Sequence, residues 1–436
     1  MISPFKIQIL KNKVIHYTVT IVVKHKSPTT ISKKESMFNL NIVEMKNLQQ
    51  IVVLSTIFLG MGNSYGSDLN YLNSSKDPIV IEAAMERLKP ANNLVKIALL
   101  LDTSNSMDGL INQAKAQLWD IVNKFTHAKC GNDGRPQLQI ALYQYGNDNL
   151  SSREGFIQQV LGFSSDLDEI SEKLFSLSTN GGEEYCGQVI QTSINQLDWG
   201  KNPDHLKMIF IAGNEPFTQG KLNYKDAVAN AKEKDIIINT IYCGAYEQGI
   251  NTNWKNGAQL TGGEYMAIDH NRKVVHINTP YDDVIIRLNS KLNKTYISYG
   301  ALGAAKMQQQ STQDDNAMEM EEVVAVKRAV SKSSRLYSNS SWDLVDASDE
   351  KDFDMAKIKK EQLPMELQGK SKAEIATYVD GKKKERNDIQ KEIQELNKKR
   401  ETYIAAQQKD DEKGELENAM LTAIQKQAAK KNYSWE

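Results

Sequence analysis

The stretch Val95–Gly109, VKIALLLDTSNSMDG, decides the fold. Five apolar residues, Ile97 to Leu101, run straight into Asp102, and hydroxyls follow at every second position, Ser104 and Ser106. A near-continuous apolar run fits a central parallel strand covered on both faces. In an open sheet of such strands, ligands sit beyond the carboxyl ends. Asp102 falls at that end, with two hydroxyls on the loop behind it. Hard divalent cations take oxygen ligands and keep several waters, so one carboxylate and two hydroxyls make half of such a shell. The remaining positions stay open for an acidic group from a partner.

Strands and helices alternate outward from this point. LINQAKAQLWDIVNKF (110–125) puts Leu110, Ala114, Leu118, Ile121, Val122 and Phe125 on one helical stripe. LQIALYQYG (138–146), LKMIFIAG (206–213) and IIINTIYCG (236–244) read as strands, and FIQQVLGF (156–163) as a short edge strand. Helices are expected over 165–177, 187–198 and 224–235, the first opened by a capping Ser-Asp. NWKNGAQLTGGEYMAID (253–269) reads as a short helix, a glycine turn and a last strand. This alternation predicts an α/β fold, a doubly wound, mostly parallel sheet, followed by a largely helical C-terminal region.

DTSNSM (102–107) and LTGGEYMAI (260–268), with the element order between them, resemble the von Willebrand factor type A (integrin I-like) domain family over 94–297. The first motif matches the family's Asp-x-Ser-x-Ser metal-ion-dependent adhesion site. The resemblance implies a metal shell of Asp102, Ser104 and Ser106, holding Mg²⁺, or Mn²⁺ or Ca²⁺, and a protein partner whose acidic side chain completes it. It also implies further ligands, and here the sequence departs from the family. The usual Thr or Asp of a Gly-Gly turn is matched best by Glu184 in TNGGEEYCGQVI (179–190), with Glu183 beside it and Thr179 further off. The usual Asp after the fourth core strand falls on Gly213 in FIAGNEPF (210–217), leaving Glu215 to reach in, directly or through water. The added glutamates weaken the pull on an acidic ligand. Cys186 and Cys243 both belong at the carboxyl edge and are disulfide candidates, whereas Cys130 falls at the opposite edge and stays unpaired.

The flanks carry different signals. Met45 opens a secretory pattern over 45–66: a basic Lys46, an apolar Ile51–Gly60, and small Ser64 and Gly66 before a cut at Ser67. The same run also fits a buried N-terminal strand. On the secretory reading, residues 1–44 are an upstream extension from a mis-assigned start, 67–93 lead into the domain, and the protein is exported, to the periplasm, cell envelope or exterior. No later stretch is long and apolar enough for a membrane helix in the mature chain. Residues 298–335, small and Gln-rich, are expected as a low-complexity linker. Residues 336–436 are expected as a charged helical tail. There Ile389, Ile393, Leu396, Arg400 and Tyr403 recur at 4-3-4-3 spacing, which fits either a self-associating coiled coil or a helix packed on its own domain. LNKTYISYG (292–300), WDLVDA (342–347) and the long charged helix resemble the tails of a group of bacterial exported proteins.

Of 436 residues, 40% are hydrophobic and 25% charged, and the formal net charge is -1, which gives no sign of nucleic-acid binding. No Gly-x-Ser-x-Gly elbow accompanies the serines, so no hydrolase is expected. The expected function is an exported, metal-assisted, adhesion-like interaction module. The alternative is a metal-independent envelope scaffold that assembles through its tail.

Overall fold

The computed structural model describes residues 7–11, 16–24, 35–43, 93–130, 134–269, 277–407 and 415–435. The secretory pattern of 45–66 and the lead-in of 67–92 lie outside the described residues. Near the N-terminus, β1 (Ile7–Lys11), β2 (His16–Lys24) and β3 (Glu35–Val43) form an antiparallel sheet in sequence order. They belong to a separate compact unit.

The second unit is built on β4 (Leu94–Asp102). Around it run α1 (Asp108–Thr126), β5 (Ala128–Cys130), β6 (Gln137–Tyr145), β7 (Ile157–Ser164), α2 (Leu167–Phe175) and α3 (Cys186–Gln196). Then come β8 (Leu206–Gly213), α4 (Tyr224–Glu233), β9 (Ile237–Cys243), α5 (Tyr246–Asn251), α6 (Trp254–Gln259) and β10 (Tyr265–Ile268). The six-stranded sheet has the order β10-β9-β8-β4-β6-β7. Its strands are parallel except β7, which runs antiparallel to β6 at the edge. β4 is central and sends side chains to both faces. Ile97, Leu99 and Leu101 join the core under α1, and Ala98 and Leu100 the core under α3 and α4.

That alternation decides the fate of the cysteines. Cys186 belongs to the core under α3, while Cys243 points into the core under α1, so the sheet stands between them. The bridge expected between Cys186 and Cys243 is not formed, and all three thiols are free. Both positions do lie at the carboxyl edge, but the strand period of two sends the Cys243 side chain to the other face.

The remaining chain is helical: α7 (Asp282–Asn293), α8 (Gly303–Met320), α9 (Glu322–Lys332), α10 (Leu344–Ala347), α11 (Met365–Gln368), α12 (Lys372–Gln407) and α13 (Glu415–Ala429), closed by β11 (Tyr433–Trp435). The linker expected over 298–335 is instead two helices, α8 and α9. Gln, Ala, Met and Glu are good helix formers, and Val323, Val324, Val326 and Val330 bury an apolar stripe against α1 and α7. Ion pairs lie under it. Arg328 meets Asp168 at 2.8 Å and Asp314 at 2.6 Å, and the fully buried Lys332 meets Asp314 at 2.8 Å.

The seam on α12 is likewise internal. Ile389 and Ile393 are buried against α7 and α9, and Arg400 pairs with Asp282 at 2.9 Å. The coiled-coil reading is therefore corrected to a helix packed on its own domain. The buried arginine that interrupts the seam has its acid within the same chain. Finally α13 packs on α1, and β11 pairs antiparallel with β5, Tyr433 opposite Cys130. Asn239 on β9 donates to Gln427 on α13 at 3.1 Å and accepts in return. No described helix is long and apolar enough to cross a membrane.

Candidate functional site

Parallel register sets the floor of the site. Asp102 pairs with Tyr145 at the ends of β4 and β6, and Leu101 with Ala212 beside Gly213 on β8. The chain leaves β4 by a turn in which the Ser104 amide donates to Asp102 Oδ1 at 2.7 Å. A single 3₁₀ turn, Asn105–Met107, then leads into α1. The turn buries Asp102 (0% exposed) and Ser104 (5%) and leaves Ser106 on the surface, where its hydroxyl accepts from Asn214 at 3.3 Å.

The glycine turn before α3 closes over this floor. Asn180 N–H donates to Thr103 O at 2.9 Å, and the Asn147 side chain donates to Ser178 O at 2.9 Å. Of the two glutamates, Glu184 turns in and is 5% exposed, while Glu183 stays out. The Glu184 amide donates to Gln219 Oε1 at 3.2 Å. Thr179 gives its hydroxyl to Asp108 and takes no part in the floor. Glu184 reaches Asp102 because of Gly146, held at φ 75°. A Cβ there would stand 2.6 Å from Glu184 Cγ and 2.9 Å from Asp102 Oδ1. Only glycine combines that left-handed backbone with that clearance.

Of the sequence-predicted ligands, the structure thus brings together Asp102, Ser104 and Glu184. Ser106 stands at the rim with Asn214. Glu215 is half-buried and acts on the two acids only through its charge. Two contributors carry no motif, Tyr145 and Gly146. The hydroxyl of Tyr145 donates to Ala212 O at 2.9 Å and is fully buried. The signal available in the sequence was YQYG, an aromatic and a glycine at the carboxyl end of the strand next to β4.

Burial pushes Asp102 above the ordinary carboxylate range, against the polar contacts of Glu184 and Ser104, which lower it. Burial also raises Glu184, and the negative charge of Asp102 raises it further. Two acids facing each other out of water share one proton more readily than both ionise. The Tyr145 phenol is pushed well above its usual value, by burial first.

Asp102 Oδ2, Ser104 Oγ and Glu184 Oε2 are buried and take no hydrogen-bond partner from outside this trio. Buried polar oxygens without partners are uncommon and costly. This donor set is all oxygen, two carboxylates and a hydroxyl, and it suits a hard divalent cation that keeps its remaining positions for water or a ligand. Among the described residues, no three or more His, Cys, Asp or Glu side chains converge into a metal cage, so the fit rests on hydroxyl as well as carboxylate oxygens.

Comparison with known families agrees with the fold. The family model described as von Willebrand factor type A domain matches residues 96–260. Among solved structures, the chain is similar to proximal thread matrix protein 1 from the mussel byssus, solved with a zinc-occupied MIDAS motif. The identity is 15% and the TM-score 0.32, over 42% of this chain and 43% of the mussel protein, so under half of that protein's length is spanned. It is also similar to the SpRpn10 VWA domain, at 15% identity and TM-score 0.29, over 40% of this chain and 88% of that one. No curated protein matches the chain.

Proposed function

We propose that the von Willebrand factor type A domain of this chain is a protein-interaction module that engages its partner through a divalent cation at the carboxyl edge of the sheet. The observation that carries this reading is the set of three buried oxygens with no partner outside their own trio, Asp102 Oδ2, Ser104 Oγ and Glu184 Oε2. A bound Mg²⁺, Mn²⁺ or Ca²⁺ supplies a Lewis-acidic anchor for an oxygen of the partner. The chain's own residues do the rest. Asp102 and Glu184 provide charge, Ser104 a neutral donor, and the Ser104 amide fixes the Asp102 carboxyl. Gly146 keeps the space clear, and Ser106 with Asn214 forms the rim. The role is binding and not turnover.

The reading extends to an exported protein, supported by the secretory pattern of 45–66. Mass spectrometry of the native protein should find a mature N-terminus near Ser67, and peptides from 1–44 would exclude it. For the site, calorimetric titration of Mg²⁺ and Mn²⁺ into the full chain should give saturable binding. Capture of a partner from the source cells should be lost in EDTA and recovered on adding the metal. Capture indifferent to EDTA would favour the metal-independent scaffold instead.

A further inference from the structure

We infer that this cation site, on the reading just given, is neutralised by the chain itself, and that the partner therefore offers it a neutral oxygen, a backbone carbonyl, amide or hydroxyl, and not a carboxylate. The argument starts from charge. Asp102 is 0% exposed and Glu184 5%, and the two carboxyls meet, each with a buried oxygen that finds no partner elsewhere in the fold. Two buried carboxylates balance a divalent cation in full. A third from outside would leave a net negative charge in a poorly solvated place, where Coulomb energies are several times larger than in water.

The arrangement is built in. Gly146 leaves no room for even a methyl between the two acids, since its Cβ would lie 2.6 Å from Glu184 Cγ and 2.9 Å from Asp102 Oδ1. Glu184 is thus guided onto Asp102 by the backbone, where a short hydroxyl side chain would bring no charge. The rim repeats the preference. Glu183 is exposed beside Gln219, and Glu215 presses its negative charge on both inner acids. Asn214 bonds Ser106 through its amide nitrogen and keeps a buried, unpartnered Oδ1. An acidic side chain entering here meets like charge at the rim and again at the metal. A peptide carbonyl or amide meets neither.

The test uses the full chain loaded with Mn²⁺, read by water-proton relaxation and electron paramagnetic resonance, with acetate and N-methylacetamide as probes. In the wild type, acetate should displace metal-bound water no better than N-methylacetamide. Removing one inner charge should reverse the preference. In Glu184→Gln, acetate should act at roughly tenfold lower concentration than in the wild type, the direction expected when one unit charge leaves a poorly screened site. Far-ultraviolet circular dichroism of Glu184→Gln should match the wild type, which guards against a fold defect in the variant. Acetate displacing water equally well from wild type and Glu184→Gln would overturn the inference while leaving cation binding intact. Failure of the wild type to bind Mn²⁺ at all would remove the reading beneath it as well.

Discussion

The Tyr145 hydroxyl stands where a side chain on Gly213 would begin. A Cβ at position 213 would lie 2.5 Å from that oxygen and 3.0 Å from Asp102 Oδ2. The absence of a side chain at position 213 and the presence of a tyrosine across β4, on β6, are therefore one structural fact. The single substitution Gly213→Asp forces a fully buried ring to move, which should cost about 1–3 kcal/mol of stability. The double variant Gly213→Asp, Tyr145→Phe removes the clashing hydroxyl. It should regain most of that loss in thermal unfolding and bind Mn²⁺ more tightly than the wild type, as an added oxygen replaces water. A double variant no more stable than Gly213→Asp would break the link between the two positions.

Asp102→Ala removes the carboxylate that the first turn is folded around. Calorimetric heats for Mg²⁺ and Mn²⁺ should fall to the level of buffer, while far-ultraviolet circular dichroism stays native. The lost bond from the Ser104 amide costs about 1 kcal/mol, offset by the removal of a buried charge with no counter-ion. Metal binding unchanged in this variant would reduce the Asp-x-Ser-x-Ser turn to a means of starting α1.

Acidity should act on the metal-free protein through the same pair. Asp102 and Glu184 both titrate above their ordinary values, mainly through burial. The folded state then holds protons that the unfolded state has already released. The contribution of the pair is fully present below the ordinary carboxylate values near pH 4, and is lost as pH rises through the raised folded values. Thermal unfolding in EDTA should show stability falling from about pH 5 towards pH 8, with a shallower slope in Glu184→Gln. Saturating Mg²⁺ should flatten the wild type, since the cation takes over from the proton. An equal slope in wild type and Glu184→Gln would contradict this.

Arg386 ties α12 to the rest of the chain. It reaches Asp343 Oδ2 at 2.6 Å and Asp346 Oδ1 at 2.5 Å, bonds the Thr295 carbonyl at 2.8 Å, and lies 4.0 Å from the Tyr296 ring centroid. Arg386→Ala leaves the buried Asp343 and the half-buried Asp346 without a cation and should cost about 3–5 kcal/mol. Chemical denaturation would measure it, and a change below about 1 kcal/mol, the scale of an exposed pair, would mean that water reaches the cluster freely.

Thiol counting gives a direct check on the cysteines. Denatured protein kept from air should react with alkylating reagent at Cys130, Cys186 and Cys243 without reductant, because none is bridged. In the native state Cys130, which is half-buried, should react first. The other two are fully enclosed and their thiols are pushed well above the usual value by burial.

Much of this was legible in the sequence because it depends on local pattern. The apolar run ending in Asp102, the helical stripes and the glycine turns carried the alternation of elements and the first turn of the site. What stayed hidden depends on facing. Cys186 and Cys243 share an edge but not a face, and one residue of strand phase separates those outcomes. Glu184 was the better match to the glycine turn than Glu183, but its close approach to Asp102 beside Gly146 carries no sequence signal of its own. Tyr145 fills a gap left by Gly213 two strands away, with β4 between them. The tail conceals its fold for a different reason. Its Gln-rich and charged composition resembles solvated chain, yet a few valines and arginines with buried acids suffice to seat it.

The pairing of β11 with β5 has a consequence for any attempt to isolate residues 94–297. Residues 96–260 are what the family model matches, but the flank of α1 is covered by α9 and α13, and α13 also reaches β10, from beyond that boundary. An excised fragment ending at 297 would present Ile241, Cys243 and the flank of α1 to water. It should be sticky and poorly soluble, and supplying residues 298–436 as a separate polypeptide should restore it. In this protein the compact unit extends well past the stretch that the family model matches.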